Sequence, residues 1–383
     1  MIKLVSDTIN KNDINALIKW LGADEIPRLT KGSLTLELEK KWAEKIGTKY
    51  SIFVNSGSSA ILLTLAALKY TGKLKNNKII APAVSWATDV SSPMLLGFET
   101  ILCDCNLEDL SCDIPLLETI FIQENPSVFI LVSVLGLVPD MDKIVSLCEK
   151  YDVILIEDNC ESMGSKYNGT NLGNFGFASL FSTYFGHHIS TIEGGFINAN
   201  DDDFYDSLLM MRSHGWIRDL SNKEKFNDRN EFDSLYTFYL PGLNVRSTDI
   251  QAFIGLRSIE KLDEFSEKRN KNFMLYHKLV KNTELSLTIR DDDFISNFAY
   301  PIITPHKNKI VKELQENNVE VRPLIAGNMA IQPFWVENKP NGNGYLTRNA
   351  TRVDNLGFYV PNHQELTEND IKKITTIINK YNE

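Results

Sequence analysis

The chain has 383 residues, with 50 acidic against 40 basic side chains and a formal net charge of −10. That balance argues against general nucleic-acid binding and against residence on an anionic membrane surface, while leaving room for a locally basic pocket that takes a small phosphorylated substrate. The length suits two domains, and 43% hydrophobic residues suit a globular chain with a substantial core.

The opening MIKLVSDTIN lacks a basic region followed by an apolar stretch, so no signal peptide is read there. The longest apolar run, residues 127–138, is too short and too β-branched to cross a bilayer. Five cysteines, an odd number without a secretory signal, predict reduced thiols and a cytoplasmic protein. From residue 50 onward, segments rich in Val, Ile and Leu alternate with helical patterns. YSIFVNS reads as a strand, SSAILLTLAALKY as a helix, NKIIAPAV and ETILCDC as strands, and SVFILVSVLG as a fully buried strand. MDKIVSLCEKYD then reads as a helix and VILIED as another buried strand. This rhythm predicts an α/β fold with a mostly parallel sheet covered on both faces. Cys103, Cys105 and Cys112 read as core residues rather than metal ligands, and no cysteine after Cys160 completes an iron–sulfur set. Short strands ASLFS and GGFINAN bracket the stretch FSTYFGHHISTIEGG, and a helix begins at DDDFYDSLLMMRSHG. The charged run IRDLSNKEKFNDRNEFD reads as a solvated surface loop, and STDIQAFIGLRSIEKL as a helix. A domain boundary is expected near residue 245, dividing a large domain, 1–245, from a smaller C-terminal one, 246–383.

Two stretches carry candidate chemistry. VNSGSSA lies between a strand and a helix: Gly57 lets the backbone approach a ligand, and Ser58 and Ser59 open the helix, where free N–H groups favour an anion or serve simply as a cap. VILIEDNCESMG places Asp158 at the carboxyl end of a buried strand, where parallel sheets present ligand contacts. A buried carboxylate needs a partner, either an arginine or helix N-terminus, or the protonated ring nitrogen of a pyridoxal-type cofactor. Glu161, three residues on, could reach a ring hydroxyl. Trp86 could stack on such a ring or be a core aromatic.

Taken as a series, NSGSSA, PAVSWATD, IEDNCESMGSKYNG, FSTYFGHHISTIEGG, RSHGW and PGLNVRSTDIQAFIG resemble the DegT-type sugar aminotransferases, a family of fold-type-I pyridoxal-phosphate enzymes, over nearly the whole chain. The resemblance implies an aspartate-aminotransferase-like fold with a mixed, mostly parallel sheet in the large domain and a smaller α/β domain after it. It implies that Ser58 and Ser182 bind the cofactor phosphate with the backbone at Gly57, and that Asn244 reaches that phosphate from a neighbouring subunit, so that a homodimer shares its sites. Trp86 would stack on the ring, Asp158 would pair with its nitrogen and Glu161 would contact its hydroxyl. Arg28, Arg246 and Arg322 are candidates for substrate phosphates, although each also reads as an ordinary surface or ion-paired arginine. His214 could contact substrate or simply end a helix.

One position departs from the family. Five residues after Ser182, where the family holds its cofactor with a lysine, stands His187, and no lysine occurs between Lys166 and Lys223 to replace it. Histidine cannot tether the cofactor, but it moves protons near neutral pH. HHISTIEGG and HGWIR are similar to the histidine-bearing 3-dehydratases of deoxysugar biosynthesis within this family. The resemblance therefore implies C3 deoxygenation of a nucleotide-linked 4-keto-6-deoxyhexose, GDP-linked by expectation. Pyridoxal and pyridoxamine phosphate would be the cofactor forms, glutamate the amino donor and His187 the catalytic base. An aminotransferase using a displaced lysine and an inactive sugar-nucleotide-binding relative are the alternatives. His188 is given no catalytic role, since neighbours in extended backbone point apart.

Overall fold

The computed structural model describes residues 1–226, 229–339, 342 and 344–382. Seven strands form the central sheet: β1 (Tyr50–Val54), β2 (Lys78–Pro82), β3 (Glu99–Cys103), β4 (Val128–Val132), β5 (Ile154–Asp158), β6 (Ala178–Ser182) and β7 (Gly195–Ala199). Their spatial order is β1-β7-β6-β5-β4-β2-β3. β2 pairs in parallel with β3 and β4, and the run continues in parallel through β5 to β6. β7 enters antiparallel to both β6 and β1. β4, VFILV, is buried at every position, as a strand covered on both faces must be. The mixed, mostly parallel sheet is the one expected.

The strand expectations hold with trimmed ends. ETILCDC stops pairing at Cys103; beyond it, Cys105 bridges Cys112 outside the sheet, and all three cysteines are buried. The helix Ala87–Leu95 carries Pro93 inside it and has no clear signature in the sequence. The charged run after residue 216 is largely exposed and holds only short helical turns; its residues 227 and 228 lie outside the described residues.

The helix Asp249–Ser258 starts with a capping box between Thr248 and Gln251. Asp249 accepts hydrogen bonds from the N–H groups of Gly32, Leu34 and Thr35, at 2.7, 3.2 and 3.0 Å, and so caps the helix Ser33–Ile46, whose own N-cap, Gly32, has no side chain to do it. Further on, strands β8 (Ala299–Ile303), β9 (Arg322–Pro323) and β10 (Gly357–Pro361) form a separate antiparallel sheet in the order β8-β10-β9. The helices Leu262–Leu279 and Glu368–Asn382 pack together beside it. Among the described residues no helix is long and apolar enough to cross a membrane.

Candidate active site

A cavity of about 1140 Å³ opens where the carboxyl ends of β5 and β6 meet the start of the helix Gly57–Leu68, with residues of the C-terminal sheet on the other side. This is the end of a parallel sheet at which ligands bind. Gly57, Ser58, Trp86, Asp158, Glu161, Ser182, His187 and Arg322 all line it.

The adjacent acids of β5 show how the strand sorts its side chains. Glu157 points away from the cavity and accepts the N–H groups of Gly173, Phe175 and Gly176, at 2.7, 2.8 and 2.7 Å, which makes it a structural carboxylate. Asp158 points into the cavity. The N–H of Cys160 donates to its Oδ1 at 2.9 Å, and among the described residues neither an arginine nor a helix N-terminus pairs with it. Glu161 Oε2 accepts the Leu135 N–H at 2.8 Å, while burial pushes its carboxyl up to about 8.

The anion end is tight. Ser56 caps the helix Gly57–Leu68 by accepting the Ser59 N–H at 3.0 Å, and the Gly57 and Ser58 N–H groups stand ahead of the first helical bond. A Cβ on Gly57 would lie 2.8 Å from Ser182 Cβ and 3.0 Å from Cys160 Sγ, so the site depends on glycine for close approach rather than for dihedral freedom. Ser58 Oγ is 3.4 Å from Thr88 Oγ1. Trp86 is 58% exposed on the cavity wall, which excludes the core-aromatic reading.

Three histidines near the cavity differ in what holds them. His188 is fully buried and its Nε2 lies 2.8 Å from the Ser296 carbonyl, a structural bond. His363 Nε2 meets the Lys3 carbonyl at 3.1 Å while its Nδ1 accepts the Glu365 N–H at 3.2 Å. His187 has only its backbone fixed, its N–H donating to the Tyr184 carbonyl at 2.9 Å. Its Nδ1 is buried without a hydrogen-bond partner among the described residues, so Nε2 is the nitrogen that can exchange protons with the cavity. Burial, helped by the Arg269 guanidinium, pulls its imidazole down to about 4, leaving it unprotonated near pH 7 and so with a nitrogen open to take a proton. The HH pair lies on turns and bends rather than on extended backbone, so the reason expected for His188's idleness is replaced by a different one, its bond to Ser296.

Four of the residues read from the sequence stay outside the cavity of this chain. Arg28 is exposed at the surface. His214, Asn244 and Arg246 instead gather with one another: Ser213 bridges Asn244, the His214 N–H donates to the Leu243 carbonyl, and Arg246 Nη1 lies 3.4 Å from Ser213 Oγ. His214 lies just past the C-cap of the helix Asp202–Arg212, and the bond it makes to a carbonyl there comes from its backbone N–H. It stands exposed beyond the helix Asp202–Arg212 with a left-handed φ of 67°. Sequence reasoning missed Asp89, Cys160, Phe298, Tyr359 and His363, all on the wall. The last three lie in or beside the strands of the C-terminal sheet and carry no motif. Asp89 lies within PAVSWATD, but a lone acid there carries no motif of its own, and only the structure places it in the first turn of a helix on the wall. Among the described residues, lysine enters the wall only through Lys3, an exposed residue of the N-terminal segment that pairs with residues 318–320. The site can therefore take a flat cationic ring with a phosphate tail and present it with one free imidazole.

Comparison with known proteins agrees with that geometry. The model of the DegT/DnrJ/EryC1/StrS aminotransferase family matches residues 7–379. The chain is 32% identical over 388 residues to the GDP-4-keto-6-deoxy-D-mannose 3-dehydratase of Yersinia pseudotuberculosis, covering 98% of each chain. The solved structure of the Escherichia coli GDP-4-keto-6-deoxy-D-mannose-3-dehydratase with bound hydrated PLP is similar with a TM-score of 0.89 and 29% identity, covering 99% of both chains. A histidine-to-asparagine variant of a GDP-4-keto-6-deoxymannose-3-dehydratase, solved with bound GDP-perosamine, is similar with the same TM-score and identity, over 99% of this chain and 100% of that one.

Proposed function

Since the chain belongs to the DegT/DnrJ/EryC1/StrS aminotransferase family, we propose that it is a 3-dehydratase dependent on pyridoxal and pyridoxamine phosphate. It removes the C3 hydroxyl of a nucleotide-linked 4-keto-6-deoxyhexose, with GDP-4-keto-6-deoxy-D-mannose the expected substrate, glutamate the amino donor and ammonia released. The observation that carries this reading is His187: a neutral imidazole whose Nδ1 has no partner among the described residues, facing the same cavity as Asp158 where aminotransferases would need a lysine.

The residues fit the cofactor. Gly57, Ser58 and Ser182 would hold the phosphate, in a cradle that a Cβ at position 57 would fill. Trp86 would lie on the ring, Asp158 would pair with the ring nitrogen and Glu161 would meet the ring hydroxyl. When bound, the cofactor supplies an amine for the sugar's C4 ketone and a ring that takes up electrons. His187 Nε2 accepts a proton in the reaction, and the resulting imidazolium can pass it to the departing C3 oxygen as general acid. A lysine amine here could instead complete amino transfer by returning a proton to sugar C4. His363, with both ring nitrogens bonded, holds its part of the wall in place, and His188 is anchored behind it through Nε2. Arg322 stands at the exposed edge with a weak ion pair, 4.0 Å from Glu320, and an Nη1 hydrogen bond to the Val321 carbonyl at 3.2 Å, from where it can meet a substrate phosphate.

The active unit in this reading is a homodimer. His214, Asn244 and Arg246 form one group on the surface, away from the cavity of their own chain, which suits residues that complete the site of a second copy. The division into domains at about residue 245 belongs to the same reading.

Incubation with pyridoxal phosphate, glutamate and a panel of 4-keto-6-deoxy sugar nucleotides, followed by mass spectrometry, tests the function. The expected product has lost one oxygen, with one 2-oxoglutarate and one ammonia formed per sugar. A sugar that gains an amino group would make the protein an aminotransferase. No conversion of cofactor by glutamate would make it a binding protein.

A further inference from the structure

Asp89 is a carboxyl that neither the fold nor the reaction described so far uses. It sits in the first turn of the helix Ala87–Leu95, three residues after Trp86, and is 1% exposed. Neither of its oxygens meets a donor among the described residues, although the residue lines the cavity. Other buried acids nearby are served differently: Glu157 collects three backbone N–H groups, and Glu161 collects one. A carboxylate with no donor at such a depth is costly, whereas a carboxylic acid there needs only an acceptor.

The acceptor is at hand. Asp89 and Asp158 line the same cavity, and the Asp158 carboxyl is a neighbour with which Asp89 interacts directly, so a proton held by one can be shared with the other. Burial first, and then the Asp158 charge, push Asp89 well above the ordinary carboxylate range. Glu161 adds to this from the loop after β5, and Cys160 beside it is itself held as a thiol by burial and by both aspartates. Two adjacent carboxyls in a site of this kind share one proton, because both cannot ionise.

We propose that Asp89 is a positioning residue that holds a proton and donates it to Asp158, fixing the Asp158 carboxylate for the ring nitrogen of the cofactor. The proposal rests on the reading of Asp158 given above. Asp158 then has its oxygens served by the Cys160 N–H, the Asp89 O–H and the ring N–H, and the pair carries a single negative charge against a single positive one. A second ionised carboxylate would leave the pair with one charge too many. An apolar residue at position 89 would leave Asp158 one hydrogen bond short and free to turn.

Infrared difference spectra of the cofactor-free full chain at about pH 7.5 test the proton directly. Subtracting Asp89→Asn from wild type should leave the carbonyl band of one protonated carboxylic acid, since Glu161 cancels between the two. Pyridoxamine phosphate affinity and the ¹⁵N shift of its labelled ring nitrogen test the positioning. Asp89→Leu should weaken binding about tenfold and move the nitrogen signal toward the unprotonated ring. Asp89→Asn, whose amide keeps a donor, should restore affinity to within about twofold and keep the signal in place. An absent band overturns the proposal, as does an Asp89→Leu protein that matches Asp89→Asn in both readouts. A wild-type protein that binds no pyridoxamine phosphate would instead overturn the cofactor reading, and the positioning role with it, even where the band is present.

Discussion

The floor and the rim of the cavity are built in different ways. The floor is assembled from the ends of β5 and β6 and the start of one helix, so Gly57, Asp158, Glu161 and Ser182 are fixed by sheet register and by atoms within 3.0 Å. At the rim, Trp86, Tyr184, Phe185 and Arg322 are exposed, and the group of His214, Asn244 and Arg246 lies on the surface with no ligand-facing wall of its own. The floor is tightly packed within one chain, and the rim is open to solvent. The difference teaches that short local contacts fix the floor whatever surrounds it, while the rim is the part that the homodimer proposed above would complete.

Replacing His187 tests the floor most severely. His187→Asn should lower turnover about 10³-fold, the scale of a lost general base, while cofactor absorbance shows binding unchanged. For wild type, kcat/KM should fall as pH drops toward about 4, because the imidazole takes up a proton there and stops being a base. A profile that instead falls near 6.5, the ordinary histidine value, would mean that His187 is not buried as described.

A methyl group probes how tightly the floor is made. Gly57→Ala brings a Cβ against Ser182 and Cys160, and should weaken pyridoxamine phosphate binding about tenfold as measured by fluorescence quenching. Equal affinity would show that the floor yields as readily as the rim.

The rim is tested by mixing. Asn244→Asp sets a negative charge against the phosphate expected from the other subunit, and His187→Asn disables the base. If the sites are shared, denaturing and refolding the two inactive proteins together should recover about a quarter of wild-type activity, since half the dimers carry one intact site. Without recovery, Asn244 acts within its own chain or not at all. The smallest effect belongs to Trp86→Ala. Loss of one stacking contact at an exposed edge should raise the cofactor Kd about fivefold, with kcat little changed. A larger effect on kcat would place Trp86 with the floor.

Much of this site was legible beforehand because its pieces are local. A strand ending in Asp158, a glycine-serine turn opening a helix and a histidine five residues past Ser182 are patterns a few residues long, and backbone geometry dictates where each points. The sheet was legible for the same reason, since fully buried strands spell themselves in Val, Ile and Leu. The extended backbone expected at His187 and His188 is instead a bend, because what settles it is the His187 N–H bond to Tyr184 and the His188 contact with Ser296, more than a hundred residues away.

By itself, then, the sequence determined the sheet, the family resemblance and which residues form the floor, because periodicity and short motifs act over a few bonds. The tertiary structure alone decided three further things: that His363, Tyr359 and Phe298 close the far wall, that His214, Asn244 and Arg246 gather away from it, and that Asp89 lines the same cavity as Asp158 and meets no donor among the described residues. Each depends on burial and on contacts between segments distant in the chain. The same Asp89 that would sit harmlessly in an exposed first helical turn becomes a proton-holding acid once a sheet and a second carboxyl enclose it.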